Sequence, residues 1–171
     1  MSAWLPIGTL VGGYVLKALD DLRKEHREDR LEGERRQAQL DDERRHREAD
    51  FQRETLLELQ EALHALIRVA TKDMLERAAD MQHRNVPYSE SKSTDETSEE
   101  ERGLLGRVFV LQVRVKDDKT RELTDAVTAG LSSPQAVISD SPTQATLVLN
   151  HVWQAFGALN DHVGELIRDQ Y

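Results

Sequence analysis

Cysteine is absent from this sequence, which excludes disulfides, cysteine-ligated metals and thiol catalysis, and fits a reducing compartment. Proline occurs only four times and aromatic residues make up 5% of the chain. With so few breakers among residues that are mostly helix formers, the expected class is all-α. No phosphate-binding loop, glycine-rich nucleotide fingerprint or nucleophile motif is present, and Ser132, Ser133 and Ser141 are accounted for as turn and cap residues. The chain is therefore not expected to be an enzyme, and no catalytic, cofactor-binding or metal-ligating residue is assigned. An excess of basic charge is missing as well. The formal charge is −9, and an acidic body repels phosphate backbones, so nucleic acid is not an expected partner.

The opening stretch lacks charge altogether. No charged side chain occurs from Met1 to Leu16, and the run Ala3-Trp-Leu-Pro-Ile-Gly-Thr-Leu-Val-Gly-Gly-Tyr-Val-Leu16 is apolar on every side. A membrane span needs roughly 20 residues, reached here by extending to Leu19 with Lys17 snorkelling to the interface. Residues 1–19 are thus expected to form a membrane anchor helix, with Trp4 and Tyr14 towards the two interfaces. No basic region precedes the run and no small-x-small cleavage site follows it, which disfavours a signal peptide. Lys17, Arg23, Lys24, Arg27 and Arg30 all lie on its C-terminal side. The rest of the chain is then expected on the cytoplasmic face of the cell membrane, in a single-pass arrangement. Gly8 and Gly12 have the spacing that lets two such helices approach closely, so a homodimer is one possibility.

The next stretch is charged throughout. Between Arg23 and Asp50, 19 of 28 residues are Asp, Glu, Lys or Arg, and Leu31 and Leu40 are the only large apolar ones. Such a segment has no face to bury, yet acid-first pairs such as Glu32–Arg36, Asp41–Arg45 and Glu43–Arg47 support a solvated helix by roughly 0.2–0.5 kcal/mol each. Residues 20–50 are expected as a helical stalk. Leu31 and Leu40 are too sparse for a coiled-coil seam.

From residue 51 apolar residues return at helical spacing. Leu56, Leu59, Leu63, Leu66, Ala70, Met74, Ala78 and Met81 lie three or four apart, and Asn85-Val-Pro87 is a stop. Residues 86–98 are expected as a mobile surface loop, with Ser98 and Glu101 forming a capping box that opens the next helix. Leu104, Val108, Leu111 and Val115 supply its stripe. A strand over Val108–Val115 is credible from its β-branched residues, but an isolated strand would have no sheet to join. Asp117-Asp118 predicts a kink or a fresh helix start, with Leu123, Val127 and Leu131 on a short helix ending near Gly130. A loop is expected from Ser132 to Asp140. Ser141-Pro-Thr-Gln144 places Ser, Pro and Gln at N-cap, N1 and N3 of the last helix, whose stripe runs Val148, Val152, Phe156, Leu159, Val163, Leu166. Residues 51–171 are thus expected to form a three- or four-helix antiparallel bundle.

Two histidine patterns have spacings of chemical interest. Glu61-x-x-His64 has the spacing of a di-iron helix motif, but that motif needs a second copy facing the same core, and the other copy, Glu43-x-x-His46, lies in the stalk. His151, Asp161 and His162 fall on the last helix, with the histidines three turns apart, and solvated surface is the expected role.

The order of these pieces resembles a group of small, uncharacterised bacterial membrane-tethered helical proteins. Leu10-Val-Gly-Gly13, the Glu34-Arg-Arg36 and Glu43-Arg-Arg45 repeats, Phe51 through Leu66 and Val113-Arg-Val-Lys-Asp-Asp118 carry the resemblance. It implies a layout and no activity. The expected function is a membrane-tethered helical scaffold or protein-interaction module of unidentified partner. The alternative is a ligand-binding or sensor bundle, to which a cavity lined by polar groups would point.

Overall fold

A chain with so few breakers leaves long stretches where nothing competes with the helix, and among the described residues there are four α-helices: α1 (Leu5–Arg84), α2 (Asp95–Arg114), α3 (Asp118–Leu131) and α4 (Pro142–Asp169). The computed structural model describes the backbone of residues 5–132 and 141–169, and side chains at Lys24 and from His26 onward. Of the loop expected from Ser132 to Asp140, residues 133–140 lie outside the described residues. By its contacts the chain divides into two units, Met1–Glu48 and Ala49–Tyr171.

In the first unit the described side chains are almost all exposed. Leu31 and Leu40 are each about half exposed, so this part of α1 has no packed face. Its ion pairs differ in register from those expected. Glu32–Arg36 forms at 3.9 Å, but Asp41 pairs with Arg44 and Asp42 with Arg45, three residues apart. Arg47 Nε instead donates to the Glu43 carbonyl at 3.2 Å, and Arg30 meets Glu34 at 3.0 Å in base-first order. The transmembrane anchor expected over residues 1–19 gains no support. Among the described residues no helix is long and apolar enough to cross a membrane, and the side chains of residues 1–23 lie outside the described set. Lys17 puts a charge within the stretch of roughly 20 residues that a span requires.

In the second unit one face of each helix closes on a common core. Leu59, Leu63, Leu66 and Ile67 of α1, Val108 of α2, Val127 of α3 and Val152, Leu159 and Val163 of α4 are all within 1% of full burial. Contacts between distant residues fix the directions. Gln52 bonds Arg114 O and Lys116 N near one end of the α1–α2 pair, and Glu76 bonds Thr94 and Thr97 near the other, so α2 runs antiparallel to α1. Gln60 donates to Asn160 at 3.0 Å and Met74 meets Thr146, so α4 also runs against α1. The pairs His162–Asp117 and Val152–Gly130 set α3 against α4. Among the described residues, then, four helices make up the antiparallel bundle.

Helix ends follow local chemistry at three places. Asn85 takes the left-handed conformation (φ 54°) after α1, and Val86 N reaches back to the Met81 carbonyl at 3.3 Å. Asp117 caps α3 by accepting from Thr120 N at 2.6 Å, and Ser141 caps α4 by accepting from Gln144 N at 3.3 Å, the latter as expected. The start of α2 differs from expectation. Thr94 is the N-cap, accepting from Thr97 N, and the Ser98 capping box does not form. The face of α3 differs too: Thr120, Thr124 and Thr128 are buried beside Val127, whereas Leu123 and Leu131 pack at the edge. Thr124 and Thr128 satisfy their hydroxyls on carbonyls one turn back, at 2.8 and 3.0 Å, which removes most of the cost of burying them.

At Gly130 the backbone of α3 lies close against Val152 of α4. A Cβ there would lie 2.7 Å from Cγ2 of Val152, a β-branched side chain that is 1% exposed and has little room to yield. Gly130→Ala is expected to destabilise the bundle by about 1–3 kcal/mol despite its better helix propensity, as read by thermal or urea unfolding. Leu66→Asp should unfold it outright, because an unpaired buried charge costs several kcal/mol.

Candidate functional site

Three features of the bundle combine chemistry with access. The first is a cavity of about 200 Å³ lined by Ala70, Asp73, Met74 and Arg77 of α1, Tyr88 of the connection, Glu101 of α2, Leu131 of α3 and Ala145, Val148 and Leu149 of α4. Tyr88 enters it because the short 3-10 turn Tyr88–Glu90 folds the connection back over α1. Its ring is 2% exposed, its hydroxyl donates to the Met74 carbonyl at 3.4 Å, and the Arg77 guanidinium lies over the ring at 5.2 Å. Arg77 also faces Asp73 at 4.0 Å. Burial raises the Glu101 carboxyl above its ordinary range, and neighbouring Asp73 raises it further against the opposing pull of Arg77. Burial likewise raises the Tyr88 phenol. The cavity therefore presents two acids, a guanidinium and a phenol over an aliphatic wall.

The second feature is the polar lacing that holds the connection from α1 to α2. Glu76 accepts from Thr94 N at 2.9 Å, from Thr94 Oγ1 at 3.1 Å and from Thr97 Oγ1 at 3.1 Å. The backbone bond from Thr94 is the largest cause that lowers its carboxyl below the ordinary range. Asp80 is bound by Arg84 and accepts from Lys92 N at 2.7 Å; Arg84 first and Lys92 second bring its pKa down to about 2.

The third is an apolar ridge on the outward side of α2. Phe109, Val110 and Val113 are 50%, 55% and 80% exposed; Val113 lies one turn beyond the adjacent pair Phe109 and Val110, and the three stand opposite the core stripe of Val108, Leu111 and Val115. Gly103 and Gly106 continue the ridge towards the N-terminus, each exposed and with nothing within 4 Å of where a Cβ would stand.

The histidine patterns fall elsewhere. Glu61 and His64 are exposed; the His64 ring stacks on Phe156 with centroids 6.0 Å apart and meets the edge of Trp153 at 5.9 Å. Among the described residues no group of three His, Asp or Glu side chains is gathered as a metal ion would need. His151 and Asp161 are exposed. His162 is not solvated surface: it is half-buried, and its Nε2–H donates to Asp117 Oδ2 at 2.8 Å. Burial alone would raise Asp117, but His162 and the Thr120 amide and hydroxyl together lower it. This pair fastens α4 to the start of α3.

The sequence carried a signal for the ridge that a search for catalytic motifs passes over. Val108-Phe-Val-Leu-Gln-Val is apolar on both sides of a helix, more than one core-facing stripe uses. No such signal marks the cavity, whose lining comes from all four helices. Comparison of the chain with protein-family models, curated proteins and solved structures finds no match.

Two outcomes follow from the polar contacts. Carboxylates held below their unfolded pKa stabilise the fold above that value and lose this contribution as pH falls through the lowered one. For Asp80 the window runs from the ordinary 3.8 down to about 2, so the protection of the Lys92 amide relative to its intrinsic exchange rate should fall across that interval before the core opens, as followed by NMR. Asp117→Ala, which removes the α3 cap and the His162 partner together, should cost about 1–2 kcal/mol in urea unfolding.

Proposed function

We propose that this protein is a helical protein-interaction scaffold, tethered to the cytoplasmic face of the cell membrane by its N-terminal segment. The observation that carries the interaction module is the ridge of Phe109, Val110 and Val113, an apolar surface left open on a helix whose opposite side already fills the core. Contiguous exposed apolar surface of this kind marks interaction sites in soluble domains. The tether rests on the uncharged run Met1–Leu16 and the basic residues that follow it, and on the resemblance to membrane-tethered bacterial proteins. The charged stretch over residues 20–50 serves as spacer, having no apolar face with which to bind a partner by burial.

A photo-crosslinking residue placed at Val113 in cells is expected to capture protein, while the same residue at exposed Leu147 of α4 captures none. Equal yields at both positions overturn the interaction reading. Alkaline extraction checks the tether separately, the intact chain being expected in the membrane fraction.

The cavity favours a second reading, a ligand-binding bundle, because several polar groups converge there over an aliphatic wall. A bound small molecule would shift the methyl resonances of Met74 and Ala145 and leave those of Val113 unmoved, which separates this reading from the first.

A further inference from the structure

We propose that the occupant of the α2 ridge is a second copy of this chain, packed α2 against α2 in antiparallel orientation about a two-fold axis at Gly106. This rests on reading the ridge as an interaction surface, and it names the partner.

Three observations favour self-pairing over a foreign partner. The first is shape. An isologous antiparallel pair centred on Gly106 puts Gly103 of one copy at the height of Phe109 and Val110 of the other, three to four residues to either side of the axis. Gly103, which lacks a side chain, thus meets the largest apolar projections of the ridge, while Gly106 meets its own counterpart at the axis. Gly103 and Gly106 have open space where a Cβ would stand, so the backbones are free to approach closely.

The second is charge. The N-terminal half of α2 carries five acids, Asp95, Glu96, Glu99, Glu100 and Glu101, against one base, Arg102, and the C-terminal half carries only Arg107 and Arg114. Antiparallel pairing sets Glu96 and Glu99 of each copy beside Arg114 of the other, and does so twice by symmetry. Parallel pairing would instead stack acid on acid and Arg114 on Arg114, which is disfavoured. At the axis itself no charged side chain stands between the copies, because Gly106 occupies it. Arg102, at the height of Phe109 and Val110 of the second copy, can lay its aliphatic stem along the aromatic ring.

The third is extent. The exposed ridge runs from Glu99 to Val113 on alternating three- and four-residue spacing, the pattern of a helix-pair seam. Three exposed apolar side chains per copy, with their flanking residues, place the interface at the small end of specific ones, near about 1,000 Å² in total. A reversible dimer with a dissociation constant of roughly 1–100 μM is the corresponding expectation.

The test uses the full chain in a mild detergent that keeps the N-terminal segment from associating. Sedimentation equilibrium should show a monomer–dimer equilibrium that Phe109→Glu and Val113→Asp each weaken at least tenfold, while Leu147→Asp leaves it unchanged. Gly103→Leu is the discriminating variant. Nothing in the monomer obstructs it and it improves helix propensity, so the melting temperature at low concentration should hold or rise while dimerisation is lost. Orientation is read by cross-linking, for which the cysteine-free chain is suited. A mixture of Glu99→Cys and Val113→Cys chains should oxidise to the mixed disulfide in preference to either homodimer. A monomer up to about 100 μM, a dimer indifferent to Phe109→Glu and Gly103→Leu, or preferential Val113→Cys homodisulfide overturns the proposal. If the purified chain is monomeric while Val113 still captures a different protein in cells, the ridge is an interaction surface with another occupant. If Val113 captures nothing, the interaction reading itself fails.

Discussion

The bundle depends on a single stripe of α1, from Leu56 to Ile67, against which the other helices close. Leu59, Leu63, Leu66 and Ile67 are almost wholly buried and share one core with residues of α2, α3 and α4. Before Ala49, α1 is helical with its described side chains in solvent; beyond it the same helix becomes the floor of a core. The change in behaviour tracks composition alone. Paired charges sustain a solvated helix through local interactions of a few tenths of a kcal/mol, whereas burying an apolar side chain gains on the order of 1.5–3 kcal/mol. Only the second kind of segment can recruit partners.

Polar contacts then decide which arrangement of helices the apolar stripe selects. Aliphatic stripes are tolerant of sliding by a turn, but Gln60 on Asn160, Glu76 on Thr94 and Thr97, and Asp117 on His162 are each satisfied in one register. Buried threonines on α3 serve the same end. Their hydroxyls are paid off within the helix, and their methyl groups with Gly130 give α3 a slim face that lets α4 come close.

How much of this was legible in the sequence depends on how local the deciding contact is. The start of α4 was readable, because Ser141, Pro142 and Gln144 act on their own backbone. The start of α2 lies at Thr94 and not at Ser98, because Glu76, eighteen residues back in the chain, accepts from Thr94. The face of α3 was misread because threonine counts as polar on any scale that ignores the carbonyl one turn before it. His162 was assigned to solvent, since its partner lies 45 residues distant. The cavity was invisible for the same reason on a larger scale. The pattern of Val108–Val115, apolar on both sides, poses a choice of strand against helix, but its information lies in the apolar surplus. The apolar opening run was legible as a run, yet its length sat at the boundary where hydropathy stops distinguishing a span from other helices.

The contact between Gln60 and Asn160 joins residues one hundred apart, and it bears on how the chain is made as well as on how it rests. A ribosome releases the stripe of α1 long before α4, the helix that carries Val152, Phe156, Leu159 and Val163 to cover it. During that interval the α1 stripe is open to water, and α2 and α3 can shield only part of it. Synthesis therefore passes through a stage that attracts chaperones, and any chain terminated ahead of Pro142 stays at that stage, a ready substrate for degradation. The completeness of the last helix works as a checkpoint on the whole product, enforced by the order in which the two halves of one core emerge.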